Sequence, residues 1–493
     1  MTPSRWLFWH RRDLRLSDNL GLAAAAAVTP AVTGVFVLDP AFLAAMAPAR
    51  RWFLAESLVE LQQGWQEAGS RLLILEGDSL ELLPRVAALV AAEAVAWNRD
   101  VEPAQCARDR QLAQRLQLDG CKVSLHCDQV LIPPEQLKTG AGNPYKVFGP
   151  FCRNWKRQLE AKAWAGSFGP AGLIPVAAPM KLQDLDPSST AALEQQGVVL
   201  SRQQRTDPSL QTLRRSHGFK GVDLCPCRPG EVAAQEQLTM FCDRGLIKAY
   251  EIARNLPAES GTSALSAALN FGTISPRQVW QAAQASKQLV RSQEEEISIN
   301  IWEQELAWRE FYRQALFHFP ELEQGPFRAK WAAFPWENSV SWFQAWRDGL
   351  TGVPIIDAAM RQLQQSGWMH NRCRMIVASF LVKDLICDWR WGEKFFMQHL
   401  VDGDLAANNG GWQWSAGSGM DQKPLRIFNP YTQAAKFDPD ASYIRRWLPE
   451  LAHVSTGDLI SGRIPSLERR EYPEPVVDHK RQQACFRAYH ATI

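Results

Sequence analysis

The sequence GWMHNRCRMIVASFLVKDLICDW, at residues 367–389, has an uninterrupted helical pattern of apolar residues. Within it, Asn371, Arg374 and Met375 are spaced i, i+3 and i+4. Side chains with this spacing lie on one face of a helix. The stretch therefore predicts one long helix that brings an amide, a guanidinium and a thioether together.

The segment DGDLAANNGGWQW, at residues 402–414, is too polar for a core element and too regular for an idle loop. Asp402 and Asp404 flank a glycine, and two asparagines and a Gly-Gly pair follow. This density of hydrogen-bonding groups indicates a bound polar ring. Because tryptophans crowd the whole stretch, a tryptophan-rich helical core is the alternative.

Composition sets broad limits on the class of protein. The chain has 493 residues, 46% hydrophobic and 22% charged, which leaves room for two or three domains. Its net charge is +2, so any nucleic-acid binding needs a local basic surface. The ten cysteines are scattered, and Cys225 and Cys227 lack the C-x-x-C spacing of a zinc site.

The N-terminal segments do not have the sequence pattern of a targeting signal or of a membrane span. Arginines stand directly behind the first apolar run, which is wrong for a signal peptide. The Ala-rich segment at 20–38 is broken by Pro30 and two threonines, so it predicts a helix followed by a strand and not a membrane span. We expect a cytoplasmic protein that does not bind membranes.

Residues 1–128 alternate short apolar runs with helical patterns, which predicts a parallel α/β sheet. The five predicted strands are WLFWH at 6–10, VTGVFVLD at 32–39, RLLILEG at 71–77, EAVAWN at 93–98 and KVSLHC at 122–127. Ser17 or Asp18 is predicted to cap the first helix, and Asp78 or Ser79 the helix after the third strand. No G-x-G-x-x-G or P-loop motif follows any strand, so the usual phosphate-binding loop is missing.

The rest of the chain divides into a linker and a helical domain. Residues 129–225 are rich in Pro, Gly, Ser and Gln and predict a long wrapping linker. Residues 226–493 are helical in pattern almost throughout. The predicted fold class is α/β plus all-α, with a five-stranded parallel sheet domain joined by the linker to a C-terminal helical domain.

Several long motifs resemble the photolyase/cryptochrome flavoprotein family. They are WMHNRCRM, DGDLAANNGGWQW, ELAWREFY at 305–312, FWHRRDLRLSDN at 8–19 and RRWLPEL at 445–451. The likeness is closest to class I, cyanobacterial-type, deazaflavin-using cyclobutane pyrimidine dimer photolyases. It implies a monomeric lyase that binds UV-damaged DNA and repairs the dimer by electron transfer from light-excited, reduced FAD.

A cryptochrome, a blue-light photoreceptor that signals through a protein partner, is the alternative. Three features favour the repair enzyme: Asn408, Met375 and the absence of a long low-complexity C-terminal extension. The resemblance places Asn408 opposite the flavin N5, where plant cryptochromes tend to carry Asp and many animal ones Cys.

The resemblance also implies a set of FAD contacts. AESGTSALSAAL at 258–269 is expected to cradle the pyrophosphate, although its residues alone fit a plain helix cap. Arg374 is expected to pair with Asp402, and a structural ion pair is the alternative. Two carboxylates at i and i+2 without a nearby histidine or third acid do not complete a metal site. The implied contacts are Tyr250, Thr262, Ser263, Ala264, Leu265, Ser266, Trp302, Arg309, Arg374, Asp402, Gly403, Asp404 and Asn408.

The lesion pocket is implied by a second set of residues. Glu305 and Trp308 are spaced i, i+3, so an acid and an indole lie on the same side of one helix. The resemblance makes Glu305, Asn371 and Asn408 catalytic. The substrate contacts that it implies are Arg254, Glu305, Trp308, Asn371, Met375, Trp414 and Gln433, with the segment 423–426 and Lys436 as further phosphate contacts; for each DNA contact, a solvated side chain is the alternative.

Trp336, Trp389 and Trp412 match the family's electron-relay triad, for which core packing is the alternative. Four charged residues match the antenna pocket of the deazaflavin-using enzymes: Arg50, Asp100, Glu102 and Arg108. Asn270 stands where those enzymes tend to carry lysine. The expected antenna is therefore 8-hydroxy-5-deazaflavin, with methenyltetrahydrofolate as the alternative, and a solvated charged surface is the non-functional interpretation.

Overall fold

The N-terminal domain is built on a five-stranded, all-parallel sheet. In the computed structural model, which describes residues 4–165, 176–198, 208–420 and 426–493, the strands are β1 Trp6–His10, β2 Val32–Leu38, β3 Leu72–Glu76, β4 Ala94–Asn98 and β5 Lys122–His126. Their order is β3-β2-β1-β4-β5. Each strand lies within the stretch from which it was predicted, which confirms the predicted sheet.

The central strand is buried on both faces, as parallel sheets are. Trp6 of β1 pairs with Val32 on one side and with Ala94 on the other. Phe8 faces the core that extends toward the helical domain, whereas Leu7 and Trp9 face a smaller core on the opposite side.

Five helices cover the sheet: α1 Leu20–Val28, α2 Pro40–Ala45, α3 Pro48–Glu67, α4 Ser79–Leu89 and α5 Pro103–Leu118. The predicted cap of α4 is confirmed, because the Asp78 carboxylate accepts the Leu80 N–H at 2.8 Å. The predicted cap of α1 is wrong. Asn19 accepts the Leu22 N–H at 3.2 Å, while Asp18 has a φ of +50° and uses its carboxylate in another contact.

The linker contains more regular structure than its composition predicts. Its helices are α6 Phe148–Ala165, α7 Pro187–Gln195 and α8 Pro208–Ser216. The polar helices α7 and α8 pack on α4 and α3, respectively, and these contacts stabilise them. α6 packs on the long helix Gln293–His318 of the C-terminal domain, so the linker contacts both domains.

The C-terminal domain is helical. Its helices are α9 Glu231–Asp243, α10 Tyr250–Ala253, α11 Ser266–Phe271, α12 Pro276–Lys287, α13 Gln293–His318, α14 Val340–Asp348, α15 Pro354–Ser366, α16 Asn371–Lys383, α17 Trp389–His399, α18 Leu405–Ala416, α19 Pro430–Phe437, α20 Ser442–Trp447, α21 Thr456–Ser461, α22 Ser466–Arg469 and α23 His479–His490. Among the described residues, no helix is long and apolar enough to cross a membrane.

The uninterrupted helix predicted over 367–389 is wrong at both ends. The His370 side chain accepts the Arg372 N–H at 3.1 Å, so α16 begins only at Asn371. The helix ends at Lys383, and Ile386, with a φ of +50°, turns the chain away from the helical path. Trp389 therefore opens a new helix, α17, and does not continue α16.

A buried charge network joins the two domains. Arg277 of α12 contacts the Asp18 carboxylate at 3.0 Å and the Asp128 carboxylate at 2.6 Å. Arg15 also contacts Asp128, at 2.6 Å. All four side chains are at most 2% exposed, so this network fixes how the sheet domain sits on the helical domain.

Candidate functional site: a cofactor cradle beside a base-stacking pocket

Helix α13 is the element against which the site is built. The Trp302 indole N–H on this helix donates to the Ser263 hydroxyl at 3.4 Å. Ala264 follows with a φ of +50°, a left-handed conformation that is uncommon for a residue with a side chain. No side chain caps the first turn of α11, for which Leu265 is the N-terminal flanking residue. The predicted cradle is thus a strained turn that leads into uncapped helix N–H groups.

One turn after Trp302 on α13, the Glu305 carboxyl group contacts the Arg254 guanidinium. Arg254 Nη1 lies 2.7 Å from Glu305 Oε1, and the guanidinium also lies over the Tyr250 ring, 5.3 Å from its centroid. Burial raises the pKa of Glu305, and the Arg254 charge opposes this only in part. The structure therefore brings together three predicted residues from the cofactor and substrate sets.

Asp402 and Arg374 form the predicted ion pair. Arg374 Nη2 donates to the two carboxylate oxygens at 2.9 and 3.1 Å, and Arg374 Nε donates to the Met369 carbonyl at 2.8 Å. The Asp402 side chain is 3% exposed, so its charge depends on this partner. The pair joins α16 to the segment before α18.

Asp404 has two structural partners that its sequence position alone did not indicate. It is the N-cap of α18, accepting the Ala407 N–H at 2.9 Å, and it forms a buried salt bridge with Arg313. Burial opposes its ionisation, but the charges of Arg313 and Arg12 outweigh burial and lower the pKa of Asp404. Arg313 was missed, although its spacing from Arg309, i and i+4, was a signal in the sequence.

Arg309 binds backbone groups on two sides. Its guanidinium donates to the Gln129 carbonyl at 2.6 Å and to the Leu269 carbonyl at 3.1 Å, so it connects the start of the linker to α11. Burial, with the nearby charge of Arg313, lowers the pKa of Arg309 to about 9. Its position supports the end of α11 that follows the cradle.

Asn408 lies on α18, where its Nδ2 donates to the Glu393 carbonyl at 3.0 Å. The neighbouring Asn409 donates to Glu393 Oε1 at 3.0 Å. Burial raises the pKa of Glu393 to about 7. With Nδ2 engaged, Asn408 presents its carbonyl oxygen as an acceptor. Glu393 was missed because it lies on a different helix, outside both quoted motifs.

The two glycines that follow on α18 meet different surroundings. A Cβ on Gly410 would lie 2.1 Å from the Tyr312 ring, so glycine is required for α18 to approach α13 this closely. A Cβ on Gly411 would have no heavy atom within 4 Å, which marks open space beside the helix.

Two half-buried indoles are the predicted walls of the lesion pocket. Trp308 on α13 stacks near Tyr312, with centroids 5.6 Å apart, and Trp414 lies on α18. The two helices are in contact, which brings the two walls into one region.

On the α16 side, Asn371 is exposed and Met375 is half-buried, and the Met375 sulfur accepts from Arg372 at 3.8 Å. Arg372 also hydrogen-bonds Asn255, next to Arg254. It lies over the Phe437 ring of α19, 4.3 Å from the centroid, and α19 also carries Gln433. Arg372 thus connects α16 to both predicted DNA-contact regions.

Comparison with known proteins identifies the family of this chain. Residues 6–168 match the family model of DNA photolyase, and residues 302–491 match that of the FAD binding domain of DNA photolyase. Over 484 residues the chain is 55% identical to a Synechococcus deoxyribodipyrimidine photo-lyase, covering 98% of this chain and 95% of that protein. The chain belongs to the DNA photolyase family.

Solved structures of photolyase relatives have the same architecture. A bacterial class III photolyase from Agrobacterium tumefaciens is 36% identical and superposes with a TM-score of 0.85, covering 100% of this chain and 98% of that one. A Synechocystis cryptochrome is 27% identical with the same TM-score, covering 99% of each chain. Since a cryptochrome superposes as well as a photolyase, the backbone does not separate the two activities.

The tryptophans predicted to form the photolyase relay lie on connected elements. Trp412 and Trp389 are both 2% exposed, whereas Trp336 is half-buried. A Cβ on Gly392 would touch the Trp412 ring at 2.1 Å, which places Trp412 against the helix that Trp389 opens. The Glu337 N–H donates to the Ile386 carbonyl at 2.9 Å and holds the Trp336 segment beside the start of α17.

Three of the four positions that resemble the photolyase antenna pocket are buried and do not form a solvated surface. Asp100 and Glu102 are 5% and 7% exposed, and Arg12 contacts Glu102 at 2.6 Å. Arg50 donates to the Gly403 carbonyl at 3.3 Å and to the Met397 carbonyl at 2.6 Å. Burial raises the pKa of Glu102, and the Arg12 charge offsets this only in part.

The fourth antenna position, Arg108, is more exposed and lies over the Trp9 ring, 4.7 Å from its centroid. Asn270 donates to the Gly403 carbonyl at 3.0 Å and so shares that acceptor with Arg50. Both Arg50 and Asn270 therefore reach the backbone between Asp402 and Asp404.

Proposed function

We propose that this protein binds FAD and uses blue light to split cyclobutane pyrimidine dimers in DNA, as a deoxyribodipyrimidine photo-lyase. One observation carries the proposal: helix α13 holds Trp302 against the cradle, Glu305 one turn later and Trp308 one turn further on. A flipped base that meets Glu305 and Trp308 would therefore lie next to a cofactor that meets Trp302.

The described residues fit FAD. The turn at 262–266, with its left-handed Ala264 and uncapped N–H groups, suits the pyrophosphate. Open space beside Gly411 leaves room for a ring system along α18. The residues that would hold FAD are Tyr250, Thr262, Ser263, Ala264, Leu265, Ser266, Trp302, Arg309, Arg374, Asp402, Gly403, Asp404 and Asn408. When bound in its reduced form, FAD supplies a photoexcited electron donor.

Asn408 supports the reduced form through its chemistry. Its amide group is held by the Glu393 carbonyl, so its own carbonyl oxygen is the atom offered to a ring N–H. An amide neither gives nor takes a proton near neutral pH. In this proposal Asn408 orients a protonated ring nitrogen without titrating it, which also favours repair over photoreceptor signalling.

Glu305 and the indoles act on the dimer. Extruding a damaged base pair costs a few kcal/mol, and stacking on an aromatic side chain returns about 1 to 3 kcal/mol per base. Trp308 and Trp414 supply those faces. Burial raises the pKa of Glu305 and so favours the form of the carboxyl group that can donate a hydrogen bond to a pyrimidine carbonyl. Such a hydrogen bond would stabilise negative charge that develops there.

The histidine that precedes Asn371 in the sequence argues against the (6-4) photoproduct as substrate. His370 is 1% exposed, caps α16 and has a pKa lowered to about 4, chiefly by burial and by the charge of Arg374. It is therefore neutral at physiological pH and turned into the helix end. The acid catalysis by a histidine pair that characterises (6-4) photolyases has no counterpart here.

DNA contacts are proposed on the rim of this pocket. Arg254, Gln433, Lys436 and Arg426 offer cations and an amide to the phosphates, without reading sequence. Lys423 lies outside the described residues. The proposed partner is UV-damaged DNA, bound by a monomer in the cytoplasm.

The antenna is proposed at Arg50, Asp100, Glu102 and Arg108. Within the described residues, three buried atoms there have no hydrogen-bond partner: Arg50 Nε, Arg108 Nε and Asn270 Oδ1. Such unpaired buried atoms support a polar ligand at this site. A deazaflavin, the class I pattern, is the first candidate, and methenyltetrahydrofolate is the second because Asn270 replaces a lysine.

The proposed functional division of the chain follows the element boundaries. β5 ends at His126 and α9 begins at Glu231. We assign residues 1–128 to the antenna-chromophore domain, 129–225 to the linker and 226–493 to the FAD- and DNA-binding catalytic domain.

The deciding experiment is a repair assay with the purified protein in its reduced, FAD-bound form. The substrates are one DNA strand with a single thymine dimer and the same strand with a (6-4) lesion, each under blue light and in the dark. Splitting of the thymine dimer in light alone supports the proposal. If FAD is bound and reduced but neither lesion is split, the cryptochrome alternative replaces it.

A further inference from the structure

Phe148 belongs to the linker, a region whose sequence indicates no chemistry. It is the first residue of α6, and its ring lies on the Trp308 indole with centroids 3.5 Å apart and planes 5° apart. At this separation the two π-faces are in van der Waals contact. The linker thus places a flat aromatic surface directly on one proposed wall of the lesion pocket.

The burial of Phe148 shows which face of the indole it covers. Phe148 is 8% exposed and meets Phe311 edge-on at 5.8 Å, and Phe311 is itself 1% exposed. Trp308 is half-buried. A ring that plugged the mouth of a pocket would be exposed, whereas Phe148 is part of the core. It therefore covers the indole from the core side, and a ligand could meet only the part of Trp308 that stays exposed.

A second ring restrains the same indole from within α13. Tyr312, one turn after Trp308, stacks near it at 5.6 Å and 29°. Tyr312 also fills the space at Gly410 of α18, one turn before Trp414. Phe148 and Tyr312 thus restrain the Trp308 wall from the linker and from its own helix, and Tyr312 connects it to the helix of the other wall.

We propose that Phe148 is a positioning residue for lesion recognition, holding the Trp308 indole in the plane on which the flipped dimer stacks. This inference rests on the proposed role of Trp308. An indole without this support samples several rotamers, and a ligand must then order it on binding. Ordering one such side chain lowers affinity by about two- to tenfold. Phe148 holds the Trp308 indole in one orientation in the folded protein before DNA binds.

The test compares dissociation constants for two DNA strands that differ only in a single thymine dimer, using FAD-bound protein. Phe148→Leu keeps apolar volume and removes the flat ring. We expect it to raise the dissociation constant for the damaged strand by about three- to tenfold, and to leave that for the undamaged strand nearly unchanged, because phosphate contacts remain. Phe148→Tyr keeps the ring and should bind both strands as the wild type does. Phe148→Met is the second variant if Phe148→Leu fails to fold.

Phe151→Leu is the matched control. Phe151 is on the same helix as Phe148, is 0% exposed and has its ring centroid 5.2 Å from that of Phe311. The substitution therefore removes a similar ring from the same core. If it weakens lesion binding as much as Phe148→Leu, or if Phe148→Leu weakens binding of both strands equally, Phe148 is only a core residue and the inference fails.

Trp308→Ala separates this inference from the proposed function. If Trp308→Ala weakens lesion binding and Phe148→Leu does not, only the role of Phe148 is refuted. If Trp308→Ala binds the damaged strand like the wild type, the wall itself is wrongly assigned, and the role of Phe148 falls with it.

Discussion

Burial and a neighbouring cation act on the Glu305 carboxyl group in opposite directions. Burial raises its pKa, while Arg254, 2.7 Å away, favours the charged form. A phosphate that attracts Arg254 would weaken the ion pair. In the proposed complex with DNA, Glu305 would then be protonated more readily, as its proposed role as a hydrogen-bond donor requires.

Glu305→Ala should slow dimer splitting while FAD binding is retained. A hydrogen bond to a charged group contributes about 1.5–3 kcal/mol, so we expect the splitting rate to fall by about ten- to a hundredfold. The measurement is splitting per absorbed photon at saturating substrate. Glu296→Ala, at an exposed position in the first turn of the same helix, is the control. Unchanged splitting in Glu305→Ala would remove this residue from the mechanism.

At the scale of elements, the packing of α17 on α18 assembles much of the site. Glu393 of α17 accepts from Asn408 through its backbone and from Asn409 through its side chain. Gly392 allows the Trp412 ring to lie directly on α17. One helix pair therefore positions a proposed flavin contact, a proposed relay tryptophan and a titratable carboxyl group.

Glu393 should make the stability of the protein fall with rising pH. Burial raises its pKa in the folded protein to about 7, above the value of about 4.3 in an unfolded chain. The folded state therefore binds the proton more tightly, and the stability that this contributes is present below about pH 4.3 and is lost as the pH rises through 7.

Glu393→Gln, which keeps an acceptor for Asn409, should show a flatter stability profile between pH 5 and 8, measured by urea unfolding. A profile as steep as that of the wild type would show that another group causes the decline.

The relay prediction also depends on element packing. Trp336→Phe should block light-driven reduction of oxidised flavin, because it removes the half-buried end of the predicted tryptophan relay. Repair by protein that was reduced beforehand should be unaffected. Flavin absorbance under illumination and dimer splitting measure the two activities separately. Trp391→Phe, two residues from Trp389, is the control, and equal loss of both activities in Trp336→Phe would contradict the relay.

At the scale of the whole molecule, few buried charges determine how the domains fit together. Arg277 of α12 contacts Asp18, which is near the start of the sheet domain, and Asp128, which is at its end. Arg50 and Asn270 meet at the Gly403 carbonyl, so the sheet domain also touches the segment that carries Asp402 and Asp404. The proposed antenna pocket and FAD site therefore share one wall.

Arg277→Leu should be strongly destabilising. It leaves the Asp18 and Asp128 carboxylates, which are at most 1% exposed, with Arg15 as the one remaining cation of this network. Breaking a buried ion pair in this way costs about 3–5 kcal/mol in the free energy of unfolding. Arg115→Ala removes an exposed pair with Asp119 and should cost about 1 kcal/mol or less. Denaturant unfolding of both variants tests the contrast, and similar losses would refute it.

Local sequence determined the elements and the family. Short apolar runs located all five strands, because a parallel strand needs a continuous run of apolar residues that a sequence displays directly. The motifs around Glu305, Asn371 and Asp402 indicated family and cofactor through their resemblance to the photolyase/cryptochrome family. The same resemblance implied the Arg374–Asp402 pair, which joins residues far apart in the sequence.

Only the tertiary structure decided which elements meet. The break after Lys383, the pairing of Asp404 with Arg313, the contact of Glu393 with Asn409 and the stacking of Phe148 on Trp308 each join segments that are distant in sequence or override a local pattern. Such contacts depend on the path of the whole chain, and their energies arise from burial and from charges brought together by folding. The sequence names the chemistry available to this protein, and packing determines which groups are positioned to use it.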